Sequence, residues 1–208
     1  VRYDGKVVCF GGNSVGQCQV PPEASHGVAV ACGAYHTCVV RRDGRLVCFG
    51  RNGVGQCTVP SDIERVVAVS AGAYHTCVIT GDGRLVCFGG NGAGQSKVPA
   101  DIGRVVAVAA GAYHTCAVKE HGQLVCWGLS SLGQCAVPRA LGPVTAVAAS
   151  VYHTVAVRAD GGLTCFGGNG VEQCVVPGNI GPVVAMSPSR KPSTSTKFLG
   201  TSTHTLAM

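Results

Sequence analysis

Acidic residues are scarce. Ten Asp and Glu stand against 16 Lys and Arg, for a formal charge of +6. The basic residues are spread along the chain rather than gathered into one run, so nucleic acid is not the expected ligand. Asp43 and Asp82 each precede a Gly at a predicted hairpin, a place that wants Asp-Gly for backbone reasons. No pair of carboxylates is left for acid and base work. Also missing are a phosphate-cradling Gly-x-x-x-x-Gly-Lys, a His-Glu-x-x-His and an Asn-x-Ser/Thr acceptor. These absences argue against an enzyme, a small-molecule substrate, a cofactor and a metal centre. Apolar runs such as Val105 to Ala110 are interrupted well short of the roughly 18 residues a membrane span needs. The expectation is a chain that does not span a membrane, with peripheral association left open. No stretch of useful length has a helical period.

What is present is a repeat. Tyr35, Tyr74, Tyr113 and Tyr152, each followed by His-Thr, are 39 residues apart, and Cys9, Cys48, Cys87, Cys126 and Cys165 keep the same step in a Cys-aromatic-Gly motif. Gln17, Gln56, Gln95, Gln134 and Gln173 complete the register, with Pro21, Pro60, Pro99, Pro138 and Pro177 behind them. Within one unit, Val66 to Ser70 reads as a short apolar strand, His75 to Thr80 as a second and Leu85 to Phe88 as a third, with a turn at Gly81-Asp82-Gly83. Gly89 to Pro99 has the composition of a loop leading to the next unit.

Three strands of this length bury too little alone, so the units must pack against copies of themselves, in a line or around an axis. Radial closure gives an all-β propeller of about five three-stranded blades and leaves only short, protected edges. The array is expected to be a single domain over residues 1–208, interrupted by an insertion at 188–199. Residues 1–12 read as a third strand without its first two, and 183–208 as a first and second without a third. Either the two ends complete one blade, or the chain is a fragment of a longer propeller.

The Gly-x-aromatic-His-Thr, Asp-Gly, aromatic-Gly and Gly-Gln elements, in fixed order along nearly the whole chain, resemble regulator of chromosome condensation repeats. In repeat style they are most similar to the beta-lactamase inhibitory protein II branch, whose blades have three strands. The resemblance implies a propeller, usually of seven blades. Here Phe10, Phe49, Phe88 and Phe166 replace the family's common Trp, which only Trp127 keeps. Either ring can fill the core between blades.

The repeated His-Thr reads as architecture, because zinc needs ligands converging from unlike positions. The 13 cysteines follow the repeat too. If the hairpin at Arg42-Asp43-Gly44 is a three-residue loop with Gly in the left-handed conformation, Cys38 faces Cys48, and by the same rule Cys77 faces Cys87 and Cys116 faces Cys126. Those pairs are either cross-strand disulfides or buried thiols acting as small hydrophobes. Cys165 faces Val155 in the equivalent place, while Cys18, Cys57, Cys135 and Cys174 read as reduced thiols without a regular partner.

Two features are left for recognition. Tyr35, Tyr74, Tyr113 and Tyr152 fall at the connection between first and second strands and so emerge at one end of the propeller. They form either a binding face, since Tyr gives large contact area at small entropic cost, or packing against the next blade. The beta-lactamase inhibitory protein II resemblance implies the former. The insertion carries Arg190, Lys191, Lys197 and Phe198, suited to an acidic protein surface, or is an inert change of length.

The expected function is a non-enzymatic protein-binding module or scaffold, as a peripheral subunit of a larger assembly. The alternatives are a guanine-nucleotide exchange factor for a small GTPase with chromatin association, which the resemblance implies, and a proteinaceous enzyme inhibitor. The residues from Val1 do not read as a targeting peptide. Cytoplasm or nucleus follows from the family, an organelle lumen or secretion from oxidised cysteines.

Overall fold

The structure is a computed structural model that describes residues 1–183. Twelve strands in this part form four antiparallel sheets, each a blade of three consecutive strands. The first holds β1 (Gly27–Cys32), β2 (His36–Arg41) and β3 (Leu46–Gly50), the second β4 (Val66–Ala71), β5 (His75–Thr80) and β6 (Leu85–Gly89). The third holds β7 (Val105–Ala110), β8 (His114–Lys119) and β9 (Leu124–Gly128), the fourth β10 (Val144–Ala149), β11 (His153–Arg158) and β12 (Leu163–Gly167). One turn of 3-10 helix, Pro22–Ala24, is the only helix among the described residues. None there is long and apolar enough to cross a membrane.

The hairpin chemistry sets the register. Gly44, Gly83, Gly122 and Gly161 all sit at φ between +82° and +86°, where a side chain would be strained. Each closes a three-residue turn: the amide of Arg41 donates to the carbonyl of Arg45, and that of Gly44 to the carbonyl of Arg41, both at 2.9 Å. That turn pairs Cys38 with Cys48, Cys77 with Cys87, Cys116 with Cys126 and Val155 with Cys165.

The middle strand of each blade is buried on both faces, and period-2 alternation divides its side chains between two neighbours. His36, Cys38 and Val40 look toward the following blade, Thr37 and Val39 toward the preceding segment. The core is therefore a series of seams. Between the second and third blades, Cys77, Ile79 and Leu85 meet Ile102, Val105 and Ala117. The aromatic ring of each third strand packs backward: Phe88 on Val40 of the first blade, Trp127 on residues of the second, Phe166 on Val118 and Leu124 of the third.

The fifth blade is where the description departs from the expected strand pattern. Residues 1–12 form no strand, because a strand requires a ladder partner and none lies among the described residues. Val7 nevertheless packs on Ala24 and Val39 in the place Leu46 takes one repeat later. Phe10, expected in an interblade core, is 92% exposed, since no described blade precedes it for its ring to pack against. The complementary strands expected within 183–208 lie, apart from Val183, outside the described residues, as does the whole insertion with Arg190, Lys191, Lys197 and Phe198.

Candidate functional site

The four tyrosines follow the tight connections after β1, β4, β7 and β10. Their backbone is held from the other side of the blade: the amides of Arg51, Gly90, Leu129 and Gly168 donate to the carbonyls of Tyr35, Tyr74, Tyr113 and Tyr152 at 2.7 to 2.9 Å. Three of the rings form a ladder, with centroids 5.9 Å apart from Tyr35 to Tyr74 and 5.7 Å from Tyr74 to Tyr113, tilted by about 30°. Tyr152 stands next along the same edge, half exposed. Partial desolvation, then the neighbouring Tyr74 hydroxyl, raises the Tyr113 phenol above its usual range. The guanidinium of Arg51 lies 5.5 Å from the Tyr35 ring centre and 6.0 Å from that of Tyr74, within cation–π range of both.

Beside the ladder runs a second row that sequence reasoning missed. Val15, Val54, Leu132 and Val171 are exposed aliphatic side chains at equivalent points of the loop after each aromatic-Gly, with Ala93 in the same position of the second blade. The repeated Gln explains why they stand still. Gln56 and Gln134 are fully buried, and their side-chain oxygens accept the amides of Val54 and Leu132 at 3.1 and 3.0 Å. Gln95 does the same for Ala93 at 2.9 Å. Asn52 Oδ1 accepts the amide of Cys57, and Asn91 Oδ1 that of Ser96, closing each loop from its other end. Between ladder and row lies an open apolar hollow of about 350 Å³, lined by Tyr74, Tyr113, Val54, Ala93 and Leu129. The signal that could have located this row was the residue two places before each repeated Gln, which is Val15, Val54, Ala93, Leu132 and Val171.

The histidines hold the blades together. His36 Nε2 lies 2.8 Å from Thr76 Oγ1 in the next blade, and Thr76 Oγ1 donates its one hydrogen to the carbonyl of Gln56. The threonine therefore has nothing left to give, and the histidine must donate as the Nε2–H tautomer. His75 with Thr115 and His114 with Thr154 repeat the arrangement at 2.8 and 2.9 Å. The other ring nitrogen, Nδ1, is buried without a partner in His36, His75 and His114. A glycine faces it: a Cβ on Gly33 would come within 2.6 Å of His36 Nδ1 and 2.4 Å of the Gly72 carbonyl. A second proton on the ring would meet no acceptor. Burial, and then the neighbouring His75 and His153, accordingly push His114 down to about 4.

The cysteines lie along the same seams. Cys116 and Cys126 are joined by a disulfide, and the sulfurs of Cys38–Cys48 and Cys77–Cys87 are 3.1 and 2.7 Å apart. A second disulfide joins Cys165 to Cys174. That corrects the reading of Cys174 as a thiol without a partner: the loop folds back so that its cysteine comes up against the third strand, a proximity that sequence spacing does not reveal. Among the described residues no three His, Cys, Asp or Glu side chains converge on a metal position.

The repeat family described as regulator of chromosome condensation (RCC1) repeat matches residues 28–56, 66–95, 105–134 and 144–173, one match per described blade. No curated protein matches the chain significantly. Among solved structures, the entire ectodomain of the receptor kinase CR4 from Physcomitrella patens superposes with a TM-score of 0.71 at 22% identity, covering 88% of this chain and 50% of that one. The CRINKLY WD40 ectodomain of the receptor kinase ACR4 from Arabidopsis thaliana gives 0.64 at 23% identity, covering 79% and 62%. Prp20p from Saccharomyces cerevisiae, described with binding properties to Gsp1p and histones, gives 0.60 at 18% identity, covering 68% and 45%. The chain thus spans half to about three-fifths of the length of the two ectodomains it is similar to.

Proposed function

Because the chain belongs to the regulator of chromosome condensation repeat family, a β-propeller family, we propose that it is a non-enzymatic protein-interaction module that takes its partner on the tyrosine face. One observation carries this reading: the ladder of Tyr35, Tyr74 and Tyr113 and the parallel row of Val54, Ala93 and Leu132 form a largely apolar strip with the cation of Arg51 over its first two rings. Surface apolar residues scattered singly need no explanation, but a continuous strip held by buried glutamines does. Tyrosine anchors around an apolar hollow are the usual composition of an interface centre. A protein surface with an apolar ridge and an acid beside it, to meet Arg51, is the partner chemistry this strip fits.

The test is capture of partners by the tagged chain from its source, with Tyr74→Ala and Tyr113→Ala beside the native sequence. Truncating a central anchor costs about 2 kcal/mol or more, roughly thirtyfold in affinity. Partners retained equally by both variants would rule out the ladder as the contact. Guanine-nucleotide exchange is the second reading, and the fold likeness to Prp20p is what supports it. Faster nucleotide release from a small GTPase on adding the purified chain would favour it over a passive scaffold.

A further inference from the structure

We propose that the third-strand cysteine of a blade is a pivot that bonds either inward, to the cysteine opposite it on the second strand, or outward, to the cysteine of the following loop, making Cys38–Cys48–Cys57 and Cys116–Cys126–Cys135 thiol–disulfide exchange sites. The repeats display the two arrangements separately. In the third blade Cys126 is bonded inward to Cys116, ten residues before it. In the fourth, Val155 occupies the inward position, and Cys165 is bonded outward to Cys174, nine residues after it.

The loop that carries the outward cysteine has the same construction in each copy, so the geometry of the fourth blade transfers to the others. The amide of Cys57 donates to Asn52 Oδ1 at 2.8 Å, that of Cys135 to Ser130 Oγ at 3.0 Å and that of Cys174 to Asn169 Oδ1 at 2.8 Å. The sulfur of each also lies near the carbonyl six residues back, at 3.3 Å from Arg51, 3.4 Å from Leu129 and 3.7 Å from Gly168. The second blade keeps the loop but has Ser96 there, with Oγ 2.8 Å from the carbonyl of Gly90. The first and third blades have both partners, the second only the inward one and the fourth only the outward one.

The exchange conserves atoms and electrons. The thiolate of Cys135 attacks Sγ of Cys126; the Cys126–Cys135 bond forms as Cys116–Cys126 breaks, and Cys116 leaves as a thiolate that takes up the proton Cys135 gave to solvent. No external oxidant is consumed. The first disulfide is made by a low-molecular-weight disulfide, which is reduced to two thiols as two protein thiols are oxidised. Cys116 is fully buried and Cys135 half exposed, so the loop sulfur is where such a reagent arrives. In the first blade burial opposes ionisation of Cys38, but the S–H of Cys48 leads the contacts that outweigh it and hold the thiol down at about 6. Burial, then Cys38, pushes Cys57 up to about 12. Both values belong to the reduced blade, in which Cys38 rather than Cys57 is the sulfur that ionises.

Each position of the bond has a separate consequence. The inner sulfurs sit 3.5 to 3.8 Å from the threonine of the next blade that receives the histidine, so inward bonding is felt at the seam. Outward bonding instead tethers the loop that presents Leu132. Neither depends on what the tyrosine face binds.

The full chain is equilibrated with reduced and oxidised glutathione, quenched with N-ethylmaleimide, digested with trypsin without reduction and mapped by mass spectrometry. Cys116 and Cys126 fall in different tryptic peptides, Val105–Lys119 and Glu120–Arg139, whereas Cys135 shares the second with Cys126. An inward bond links two peptides; an outward bond removes two hydrogens from one. The native chain is expected to give both forms. Cys116→Val, which copies the natural Val155, should give the outward form alone, and Cys135→Ser, which copies Ser96, the inward form alone. Val155→Cys should draw Cys165 from Cys174 to the thiol introduced at position 155. Circular dichroism identifies folded variants. Folded Cys116→Val in which Cys126 and Cys135 are both alkylated, or Val155→Cys in which Cys165 stays with Cys174, overturns the pivot.

Discussion

Thr76→Val removes one hydroxyl and changes almost no volume, and the structure assigns that hydroxyl two tasks. It receives the proton of His36 Nε2 from the preceding blade and donates its own to the carbonyl of Gln56, both at 2.8 Å. Thr76, His36 and Gln56 are all at most 1% exposed, so water cannot replace what is lost. Each buried polar group left unpaired costs about 1–3 kcal/mol; with two stranded, the expected loss is about 3 kcal/mol. Thr37→Val is the internal comparison. Thr37 Oγ1 donates to the carbonyl of Gln17, and no histidine reaches it among the described residues. Gln17 is also half exposed, so the expected cost is about 1 kcal/mol. Urea unfolding followed by circular dichroism, together with the fluorescence of the single tryptophan, Trp127, measures both variants. Because repeat arrays need not unfold in one step, coincidence of the two signals is checked first. Thr76→Val within 0.5 kcal/mol (about the scatter of a neutral substitution) of the native chain would refute the bridging role.

Gly72→Ala places a Cβ 2.3 Å from the carbonyl oxygen of Gly111, backbone that cannot step aside, and should cost about 3 kcal/mol or more in the same unfolding assay. Gly92→Ala meets nothing within 4 Å and should be neutral. Acid should loosen the seams. His114 is held down to about 4, below its ordinary 6.5, so the folded state resists its protonation; the stability this withholds is intact above pH 6.5 and lost progressively as pH falls toward 4, by up to about 3 kcal/mol. A urea midpoint that does not move between pH 7 and pH 4 would contradict this. Reversing Arg190, Lys191 and Lys197 to Glu should weaken partner capture if the insertion is a contact, and unchanged capture eliminates the insertion as the contact.

Most of the blade was readable because one period repeats the same local chemistry. The turn at Arg42-Asp43-Gly44 allowed only one loop length to put Cys38 opposite Cys48, and the positive φ of Gly44 realises it. The tyrosines were located by their place after a first strand. What was not legible depends on atoms brought together by tertiary folding. Gly-Gln looked like a loop marker, yet Gln56 is a buried brace for Val54, which only the folded loop reveals. Arg51 belongs to no repeated motif, and its place over two rings follows from an amide bonded to Tyr35 across the blade. The Cys165–Cys174 bond escaped notice because Val155 removed the expected partner and the loop supplied another.

The seams run in one direction. A blade extends histidine forward to its successor's threonine and lays its aromatic ring back on its predecessor, so the two edges of a blade are unlike: the second presents Thr76 and Phe88 backward and His75 forward. Like edges brought face to face, as a twofold axis would require, set histidine against histidine or threonine against threonine and satisfy neither. The seam chemistry is heterologous, and continuing it takes a head meeting a tail. Any segment or protein that continues this seam onto the first blade must therefore supply a histidine to Thr37.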